Sequence, residues 1–537
     1  MSYYKDIREF LETLDKRGKL VRIKSPINKD TELMPLVKLQ YVGLPEAQRK
    51  AFLFENVFDS RGKKYNGSVA VAALAGSPEI YAIGMNCKPE EMTEKRAQAE
   101  LHPIEPKLVS KGPVQEEVHM GKNLMEHGAL DELAVPISAP GFDAGPCFTA
   151  PFWITKDPET GVRNIGTYRV MPKSPTKTGI DWANMTKGCA IHWLKAKKMG
   201  KPLPAAIVTG GPPCIGYVSV TRYLTDVDEL KVAGGIAGEP IEVVKCKTVD
   251  LEVPAWAEIV VEGEINTQEV EPEGPFGESI GFMCLEQLRA FFNVTAITHR
   301  KNPVWVAFIS QYQPSESSVL KKYASSTAVY KHLRYDLGLD YVKDVAFQET
   351  SDTSMMVIQV ARTSQENVWK ALEGAAKRHQ FSKIIIAVDD FVDPANLDSV
   401  FWAVTHCSQP HRDYRIITRP TPILLDCSVA PMEELESLRD ELYTTGKLKN
   451  TPDSSVILMN GTIKWPYPPI SLPRQEYMEK ALERWKKEGL PDLKLGNPWY
   501  GIELGYWSER DKQRADWAVK GEYYKTGEEQ ATRQRRA

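Results

Sequence analysis

The chain has little cysteine for its length and no long apolar run. Its eight cysteines among 537 residues show no Cys-x-x-Cys or zinc-finger spacing, so we expect reduced, mostly buried thiols. No stretch approaches the ~20 consecutive apolar residues of a membrane span. Residues 1–6 lack the apolar core of a signal peptide. These absences predict a cytoplasmic protein with no membrane partner.

The chain also lacks a strong excess of charge and the common nucleotide-binding motifs. The formal net charge is −3, which gives no reason to expect nucleic acid as a partner. The glycine-rich residues 209–216 match neither GxxxxGK[ST] nor GxGxxG, so ATP or a dinucleotide is poorly supported. Their backbone amides could still cradle a phosphate.

The length of the chain predicts two to four domains. A helical apolar stripe at residues 7–14 and a strand at 20–23 indicate an α/β N-terminal domain. Short strands between about 145 and 310 favour a barrel or a sandwich. After about 320, a strand–helix–strand pattern indicates an α/β domain. We therefore predict domains at 1–120, 121–315 and 316–495, followed by a C-terminal extension at 496–537 whose aromatic residues predict docking on the body or on another subunit.

The most unusual segment is Glu-Pro-Glu-Gly-Pro-Phe-Gly-Glu at residues 271–278. Its two prolines fix φ and remove backbone donors, while its two glycines permit turns, so we expect a stiff loop without regular secondary structure. Such a loop would hold Glu273 and Glu278 in fixed positions, as a pair of acid/base groups requires. The alternative is a solvated acidic turn, but the apolar segments on both sides favour a buried site.

Three further polar residues could form a metal site. Alternation along a strand places Asn164 on one face together with Gly166 and Tyr168. His192 lies in an amphipathic helical pattern, and Glu229 opens an apolar run after an acidic cluster that includes Asp226. An amide, an imidazole and a carboxylate would suit manganese, magnesium or a similar ion. On spacing alone, a lone histidine on a helix is more often a packed or exposed side chain than a ligand. The acidic cluster before Glu229 could simply be a charge bias at a helix N-terminus.

Arg169 follows the same strand and could grip a planar carboxylate with two parallel hydrogen bonds. Strict alternation turns it to the face opposite Asn164 unless the strand bulges. The alternative is an exposed surface arginine, which the spacing alone favours.

Taken together, these motifs resemble the UbiD family of reversible decarboxylases, which use prenylated FMN. The resemblance covers about residues 1–490 and rests on residues 164–169, His192, 209–213, Glu229, 234–246 and, most specifically, 272–278. It implies a mixed α/β multidomain fold with an N-terminal α/β domain, a central split β-barrel similar to flavin reductases, and a C-terminal α/β domain.

The resemblance also implies roles for individual residues. Arg169, Glu273 and Glu278 would form a catalytic network, with Arg169 orienting the leaving carboxylate and Glu278 donating the proton. Asn164, His192 and Glu229 would hold the divalent metal that bridges to the cofactor phosphate: Mn²⁺ first, with Mg²⁺ or Fe²⁺ as alternatives, and K⁺ nearby. The implied cofactor-binding residues are Asn164, Ile165, Gly166, Thr167, Tyr168, Arg169, His192, Pro213 and Glu229.

The implied reaction is decarboxylation of an aromatic acid through a covalent adduct with prenylated FMN, which accepts the electrons. The substrate could be a small phenolic or heteroaromatic acid, or an aryl-CoA thioester such as phthaloyl-CoA. The length of the chain and its aromatic, basic tail slightly favour the larger substrate. The implied partners are a prenyltransferase that supplies the cofactor and further copies of the chain in a dimer or hexamer. The alternatives are a flavin reductase-like oxidoreductase using ordinary FMN, and a non-catalytic subunit of a multisubunit carboxylase.

The sequence also departs from the family pattern. His406 stands where the family often has arginine, which puts the local charge in doubt but not the catalytic network. Residues 310–317 and 421–429 lie where the substrate pocket of the family varies, so these segments do not identify the substrate.

Overall fold

The computed structural model describes residues 3–182, 185, 187–223, 227–421, 424, 426–448, 450–493 and 495–535. It has the mixed α/β fold that the sequence predicts, with several separate sheets. Asp226 of the acidic cluster and residues 422, 423 and 425 of the variable pocket segment lie outside the described residues. The helices among the described residues are Ile7–Lys16, Leu33–Gly43, Pro78–Met85, Met92–Leu101, Lys122–Glu126, Gly188–Lys198, Pro213–Ser219, Glu229–Ala237, Glu316–Lys331, Gln365–Arg378, Leu397–Cys407, Pro410–Asp413, Met432–Thr445, Gln475–Lys487, Glu509–Val519 and Tyr524–Ala531.

The N-terminal part of the chain forms a four-stranded sheet. Its strands, in spatial order, are Leu20–Ile23, Ala51–Phe54, Ser68–Val71 and Val304–Ala307. The fourth strand comes from beyond the central region and pairs in parallel with the third. The predicted apolar stripe of the helix Ile7–Lys16 is buried against this region. The N-terminal sheet is therefore completed by a segment more than 200 residues downstream.

The central region is built on a nine-stranded antiparallel sheet, as the run of short strands indicated. Its strands are Glu117–Met120, Phe152–Lys156, Arg163–Thr167, Pro172–Ser174, Lys177–Ile180, Leu203–Thr209, Ile259–Ile265, Glu271–Glu273 and Gln287–His299. A small sheet beside it contains Lys107–Leu108, Glu242–Lys245 and Glu252–Pro254, and two-stranded pairs join Ile27–Asn28 with Val57–Phe58 and Phe276–Gly277 with Met283–Cys284.

The prediction that residues 271–278 lack regular secondary structure is wrong. Glu271–Glu273 pairs with the long strand Gln287–His299, and Phe276–Gly277 forms a short hairpin with Met283–Cys284. Pro272 is tolerated because it lies on the outer strand of the pairing, where its missing N–H costs no ladder bond. Gly274, with φ +106°, and Pro275 make the turn that joins Glu271–Glu273 to Phe276–Gly277.

The C-terminal part has a five-stranded sheet in the spatial order Val342–Phe347, Met355–Val360, Ile384–Asp389, Asp453–Asn460 and Tyr414–Pro420. The predicted strand–helix–strand unit is present: Met355–Val360 and Ile384–Asp389 are parallel, and the helix Gln365–Arg378 connects them. Alternate residues of these strands pack into hydrophobic cores on the two faces of the sheet.

The C-terminal extension contacts the body of the protein. Backbone hydrogen bonds join Tyr467 to Leu504 and Ile470 to Ile502, and Leu504 is buried beside Cys407 and Ile463. Among the described residues, no helix is long and apolar enough to cross a membrane.

Candidate active site

A cavity of about 680 Å³ lies between the central sheet and the C-terminal part of the chain. The central region contributes most of the residues predicted from the sequence: Asn164, Ile165, Gly166, Thr167, Tyr168, Arg169, His192, Glu229 and Glu278. The C-terminal part contributes residues 352–354, 378–381 and Asp426. The volume is within the range of small-molecule sites, roughly 300–1,000 Å³.

The strand Arg163–Thr167 links the three predicted metal ligands. Asn164 lies directly opposite Thr155 in the neighbouring strand, and the Thr155 hydroxyl is 2.8 Å from Nδ1 of His192. The residue after Asn164, Ile165, donates its backbone N–H to Oε2 of Glu229 at 2.8 Å. The structure therefore brings Asn164, His192 and Glu229 together through one strand.

Burial shapes the ionisation of these three side chains. Desolvation lowers the pKa of His192 to about 4, so its ring is neutral at ordinary pH. Because Nδ1 contacts Thr155, Nε2 is the ring nitrogen left to bind a metal. Desolvation raises the pKa of Glu229 to about 8, and the N–H of Ile165 and the charge of Arg163 offset this only in part. A divalent cation at this place would favour the charged form of Glu229.

A glycine makes room for the first of these side chains. A Cβ atom at Gly188, the first residue of the helix Gly188–Lys198, would lie 1.7 Å from Oδ1 of Asn164. The Asn164 amide therefore occupies the space beneath the start of the helix that carries His192. Glu229 likewise begins its helix, and the preceding Asp228 caps it by accepting the N–H of Leu230. Asp228, one of the acidic residues before this helix, therefore stabilises its N-terminus.

The Arg169 guanidinium is held by three different carboxylates. Nε lies 3.4 Å from Glu273, Nη1 contacts Glu278, and Nη2 lies 3.1 Å from Asp181. The Phe276 ring lies 4.8 Å from the guanidinium carbon. Arg169 lines the same cavity as Asn164, because the strand ends at Thr167 and the alternation does not extend further.

Asp181 is a residue that the sequence reasoning missed. Its carboxylate is also 3.0 Å from Arg289 and 3.1 Å from Arg439, and all these side chains are buried. Three arginines and three carboxylates thus meet in one network, and their formal charges cancel when all are ionised. A signal existed for Arg289, because it stands between apolar residues, Leu288 before it and 290–292 after it, and needs a partner where it is buried. No local signal pointed to Arg439, which comes from the helix Met432–Thr445.

Glu273 is the most deeply placed carboxylate that contacts Arg169. Burial raises its pKa, while Arg169 and Arg289 act in the opposite direction. Within the described part of the chain, Oε2 of Glu273 has no hydrogen-bond partner. That oxygen sits against Gly179, where a Cβ atom would lie 1.9 Å from it. Gly179 therefore makes space for this carboxylate, as Gly188 does for Asn164.

Positive side chains gather on another part of the cavity wall. Lys187, Arg222, Lys321 and Arg378 all line it, and Lys321 is paired with Asp352 at 3.1 Å. Burial and the charges of Arg222 and Lys321 lower the pKa of Lys187 to about 8. Mutual repulsion of this kind is relieved when an anion binds. The cavity wall is thus suited to a phosphate or another anionic group.

Other predicted residues lie away from the cavity. Pro213 is buried at the start of the helix Pro213–Ser219 and is not part of the cavity wall, although Ser219 at the other end is. His406 is exposed on the helix Leu397–Cys407 and does not reach the cavity. Of the variable segments, Ser310, Ser317 and Asp426 are part of the wall.

Family models match three consecutive parts of the chain. They describe the 3-octaprenyl-4-hydroxybenzoate carboxy-lyase N-terminal domain at residues 11–100, the Rift-related domain at 107–312 and the C-terminal domain at 319–448. A phenolic acid decarboxylase from Sedimentibacter hydroxybenzoicus is 30% identical over 444 residues, which span 80% of this chain and 89% of the relative.

Solved structures agree with this match. An evolved dimeric form of the UbiD-class enzyme HmfF from Pelotomaculum thermopropionicum, in complex with prenylated FMN (prFMN), is 29% identical with a TM-score of 0.74, covering 89% of this chain and 100% of that one. The closed form of a vanillic acid decarboxylase from Sedimentibacter hydroxybenzoicus is 26% identical with a TM-score of 0.76, covering 91% and 100%. The resemblance seen in the sequence motifs is confirmed, and the chain belongs to the UbiD family of carboxy-lyases.

Proposed function

We propose that this chain decarboxylates an aromatic carboxylic acid with prenylated FMN bound in the cavity. The observation that carries the proposal is the contact of Arg169 with both Glu273 and Glu278 in the same cavity as Asn164, His192 and Glu229. Family membership favours this activity over a flavin reductase-like oxidoreductase or a non-catalytic subunit.

The residues present fit a metal and a phosphorylated flavin. An amide oxygen, a neutral imidazole nitrogen and a carboxylate form a mixed N/O set that suits Mn²⁺, Mg²⁺ or Fe²⁺. The carboxylate of Glu229, whose pKa is raised by burial, is a group whose charged form a divalent ion would stabilise. The basic wall around Lys187 and Arg222 would bind the phosphate. The resemblance to the UbiD family also implies a K⁺ ion near the divalent metal, and this ion is part of the same proposal.

Arg169, Glu273 and Glu278 have different roles in the proposed reaction. When bound, prenylated FMN supplies the electron-accepting ring, and thus the covalent route, that loss of CO₂ from an sp² carbon requires. Arg169 orients the substrate carboxylate and balances its charge. Glu278, at the cavity wall, holds the proton that replaces CO₂. Glu273, farther from the cavity, fixes the position of Arg169.

The cavity favours a compact substrate. A volume of about 680 Å³ must hold the flavin as well as the substrate, which leaves room for a phenolic or heteroaromatic acid better than for a whole aryl-CoA thioester such as phthaloyl-CoA. The relatives named as phenolic and vanillic acid decarboxylases support the same choice. Four further expectations remain parts of this proposal: the domain limits at residues 120, 315 and 495, a cytoplasmic location, a prenyltransferase that supplies the cofactor, and assembly into a homo-oligomer.

Two measurements test the proposal. The absorption spectrum and mass of the cofactor released from purified protein distinguish prenylated FMN from FMN. An anaerobic assay of cofactor-loaded protein against aromatic acids and their CoA esters then measures product and CO₂ exchange. We expect prenylated FMN and turnover of free acids. Turnover of CoA esters alone would overturn the proposal of a compact substrate. Loaded protein that is inert towards the whole panel would contradict the proposed decarboxylase activity.

A further inference from the structure

A cluster of three histidines and one glutamate lies outside the cavity. His119 belongs to the strand Glu117–Met120, and His127 follows the helix Lys122–Glu126. Glu132 ends the short helical turn Ala129–Glu132, and His299 is the last residue of the strand Gln287–His299. None of the four is part of the cavity wall, and the decarboxylation proposed above uses none of them.

Strand pairing brings two of these histidines to one face. His119 lies opposite Ile297, so His299, two residues further along the same strand, is its diagonal neighbour. Their rings meet edge to face with centroids 5.0 Å apart. The chain then turns back through residues 121–132 and returns His127 and Glu132 to the same place, where the rings of His119 and His127 stack at 3.8 Å.

The ligand atoms of this cluster are already close. Those of His119, His127 and Glu132 all lie within 4.8 Å of one another. Nδ1 of His119 is 3.0 Å from Oε1 of Glu132, and Nε2 of His299 is 3.9 Å from Oε2 of the same carboxylate. Around a tetrahedral zinc ion with bonds of about 2.0–2.1 Å, neighbouring ligand atoms are about 3.3 Å apart. Closing the site requires the exposed His127 ring to move out of its stack on His119.

His299 gives an independent reason to place a ligand here. Its Nε2 is buried and has no hydrogen-bond partner within the described parts of the chain, which is rare for a buried polar atom. Its Nδ1 lies 2.8 Å from the carbonyl oxygen of Arg300 and must donate to it. That tautomer leaves a lone pair on Nε2, directed towards Glu132. Donation of the second ring nitrogen to a carbonyl is how metal-binding histidines are usually oriented.

We propose that His119, His127, His299 and Glu132 form a second metal site that binds a first-row transition-metal ion, Zn²⁺ by its donor set. Three imidazoles and one carboxylate match the nitrogen and oxygen ligands that zinc takes in proteins. The ion would join the segment 117–132 to the end of the strand Gln287–His299. The role of the ion is structural, because it links the start of the central region to the longest strand of the central sheet.

The test counts zinc ions per chain in the full-length protein. Equilibrium dialysis against Zn²⁺ compares the wild type with His127→Gln, Glu132→Gln and the control His102→Gln, which changes an exposed histidine outside the cluster. We expect each cluster variant to lose one equivalent of zinc, or to bind it at least tenfold more weakly, while the control matches the wild type. His192→Gln, in the cavity, should keep this equivalent, so the result does not depend on the proposed function.

Two further readouts separate a true site from a hydrogen-bonded cluster. Co²⁺ in the wild type should give the visible d–d absorption of a tetrahedral complex, and His127→Gln should lose it. Zinc should raise the unfolding temperature of the wild type and of His192→Gln but not of His127→Gln. Equal zinc stoichiometry and affinity in the wild type and both cluster variants would overturn the proposal and leave a His119–Glu132 hydrogen bond as the purpose of the cluster. Since His127 is exposed, its variant should fold as the wild type does without metal.

Discussion

Oδ2 of Asp181 lies 3.1 Å from Nη2 of Arg169, the guanidinium nitrogen that neither Glu273 nor Glu278 contacts. The two residues also face each other through an antiparallel backbone bridge. Asp181 therefore helps to hold Arg169 through an ion pair, and it also pairs with two further arginines. The position of the Arg169 side chain is thus set in part by a residue other than Glu273 and Glu278.

Asp181→Asn should lower decarboxylation by displacing Arg169, while the proposed proton donor Glu278 is kept. The amide keeps the shape of the carboxylate but leaves three buried arginines with one fewer negative charge, so Arg169 shifts. A misplacement of about 1 Å in a positioned group costs roughly 100-fold in rate, and we expect a loss of that size in kcat/KM. Loss of one partner from a buried ion pair also destabilises the fold, by about 3–5 kcal/mol.

Steady-state kinetics and thermal unfolding of the loaded enzyme measure both effects. Asp390→Asn, at an exposed position, is the matched control and should change neither. Wild-type kcat/KM in Asp181→Asn would show that Arg169 is held well enough by the two glutamates alone.

Glu278→Gln should abolish turnover while the cofactor stays bound. Glutamine keeps the size of the side chain and its contact with Arg169 but cannot donate the proton that replaces CO₂. General acid catalysis contributes about 10²- to 10⁴-fold, so a loss of at least about 100-fold is expected. Flavin absorbance of the purified variant and product formation are the two measurements. Retained turnover with a loaded cofactor would remove Glu278 from the role of proton donor.

Gly188→Ala should empty the proposed cavity metal site. The new Cβ atom would lie 1.7 Å from the Asn164 amide oxygen and would displace it. Metal content after dialysis should fall, with a parallel loss of bound flavin. Gly43→Ala is the control, because a Cβ atom there meets nothing within 4 Å. Unchanged metal content in Gly188→Ala would mean that Asn164 is not a ligand.

Gly179→Ala should impair catalysis without affecting metal content. The added Cβ atom would lie 1.9 Å from Oε2 of Glu273 and push this buried carboxylate against Arg169. Overpacking of this kind costs about 1–3 kcal/mol of stability, and the shift of Arg169 should lower kcat more than it changes KM. The pair Gly179→Ala and Gly188→Ala thus separates the network from the metal ligands. Loss of metal in both variants would contradict that separation.

Glu316 should make the protein less stable as pH rises. This fully buried carboxyl accepts backbone N–H groups from Ala72, Leu74 and Ala75, yet burial raises its pKa from 4.5 to about 7. Between these values the folded state binds a proton that the unfolded state has lost, so stability falls with increasing pH. The contribution that is present below about pH 4.5 and lost above about pH 7 is about 3 kcal/mol.

Unfolding temperatures of the wild type and Glu316→Gln, measured from pH 5 to pH 8, test this expectation. The variant should be less stable at pH 5 and show a flatter decline towards pH 8, because glutamine does not titrate. Parallel curves for the two proteins would show that Glu316 keeps one charge state throughout.

Local patterns in the sequence predict the elements of the fold and most of the cavity wall. The helix at residues 7–16, the strand Leu20–Ile23 and the strand–helix–strand unit around Gln365–Arg378 follow from periodicity alone. The family motifs then indicate Arg169, Glu278 and the three proposed metal ligands. These features depend on residues close together in the chain or on a known order of motifs.

Long-range pairing is what the sequence does not reveal. Arg439 reaches Asp181 from 258 residues away, and no spacing rule connects them. The strands at 271–273 and 276–277 were missed because proline and glycine have low strand propensity. Pairing with Gln287–His299 in the first case and with Met283–Cys284 in the second overrides that propensity. The histidine cluster was missed for the same reason: His299 joins His119 only through strand register.

The strand Val304–Ala307 has a consequence for synthesis of the protein. Until it arrives, Ser68–Val71 is the open edge of the N-terminal sheet. The ribosome must add 236 residues, from 71 to 307, which takes roughly 12–47 s at about 5–20 residues per second. During that time an apolar strand edge is exposed, and such edges promote aggregation. The nascent chain is therefore expected to need chaperone protection while residues 72–307 are synthesised, and to be intolerant of truncation before residue 307.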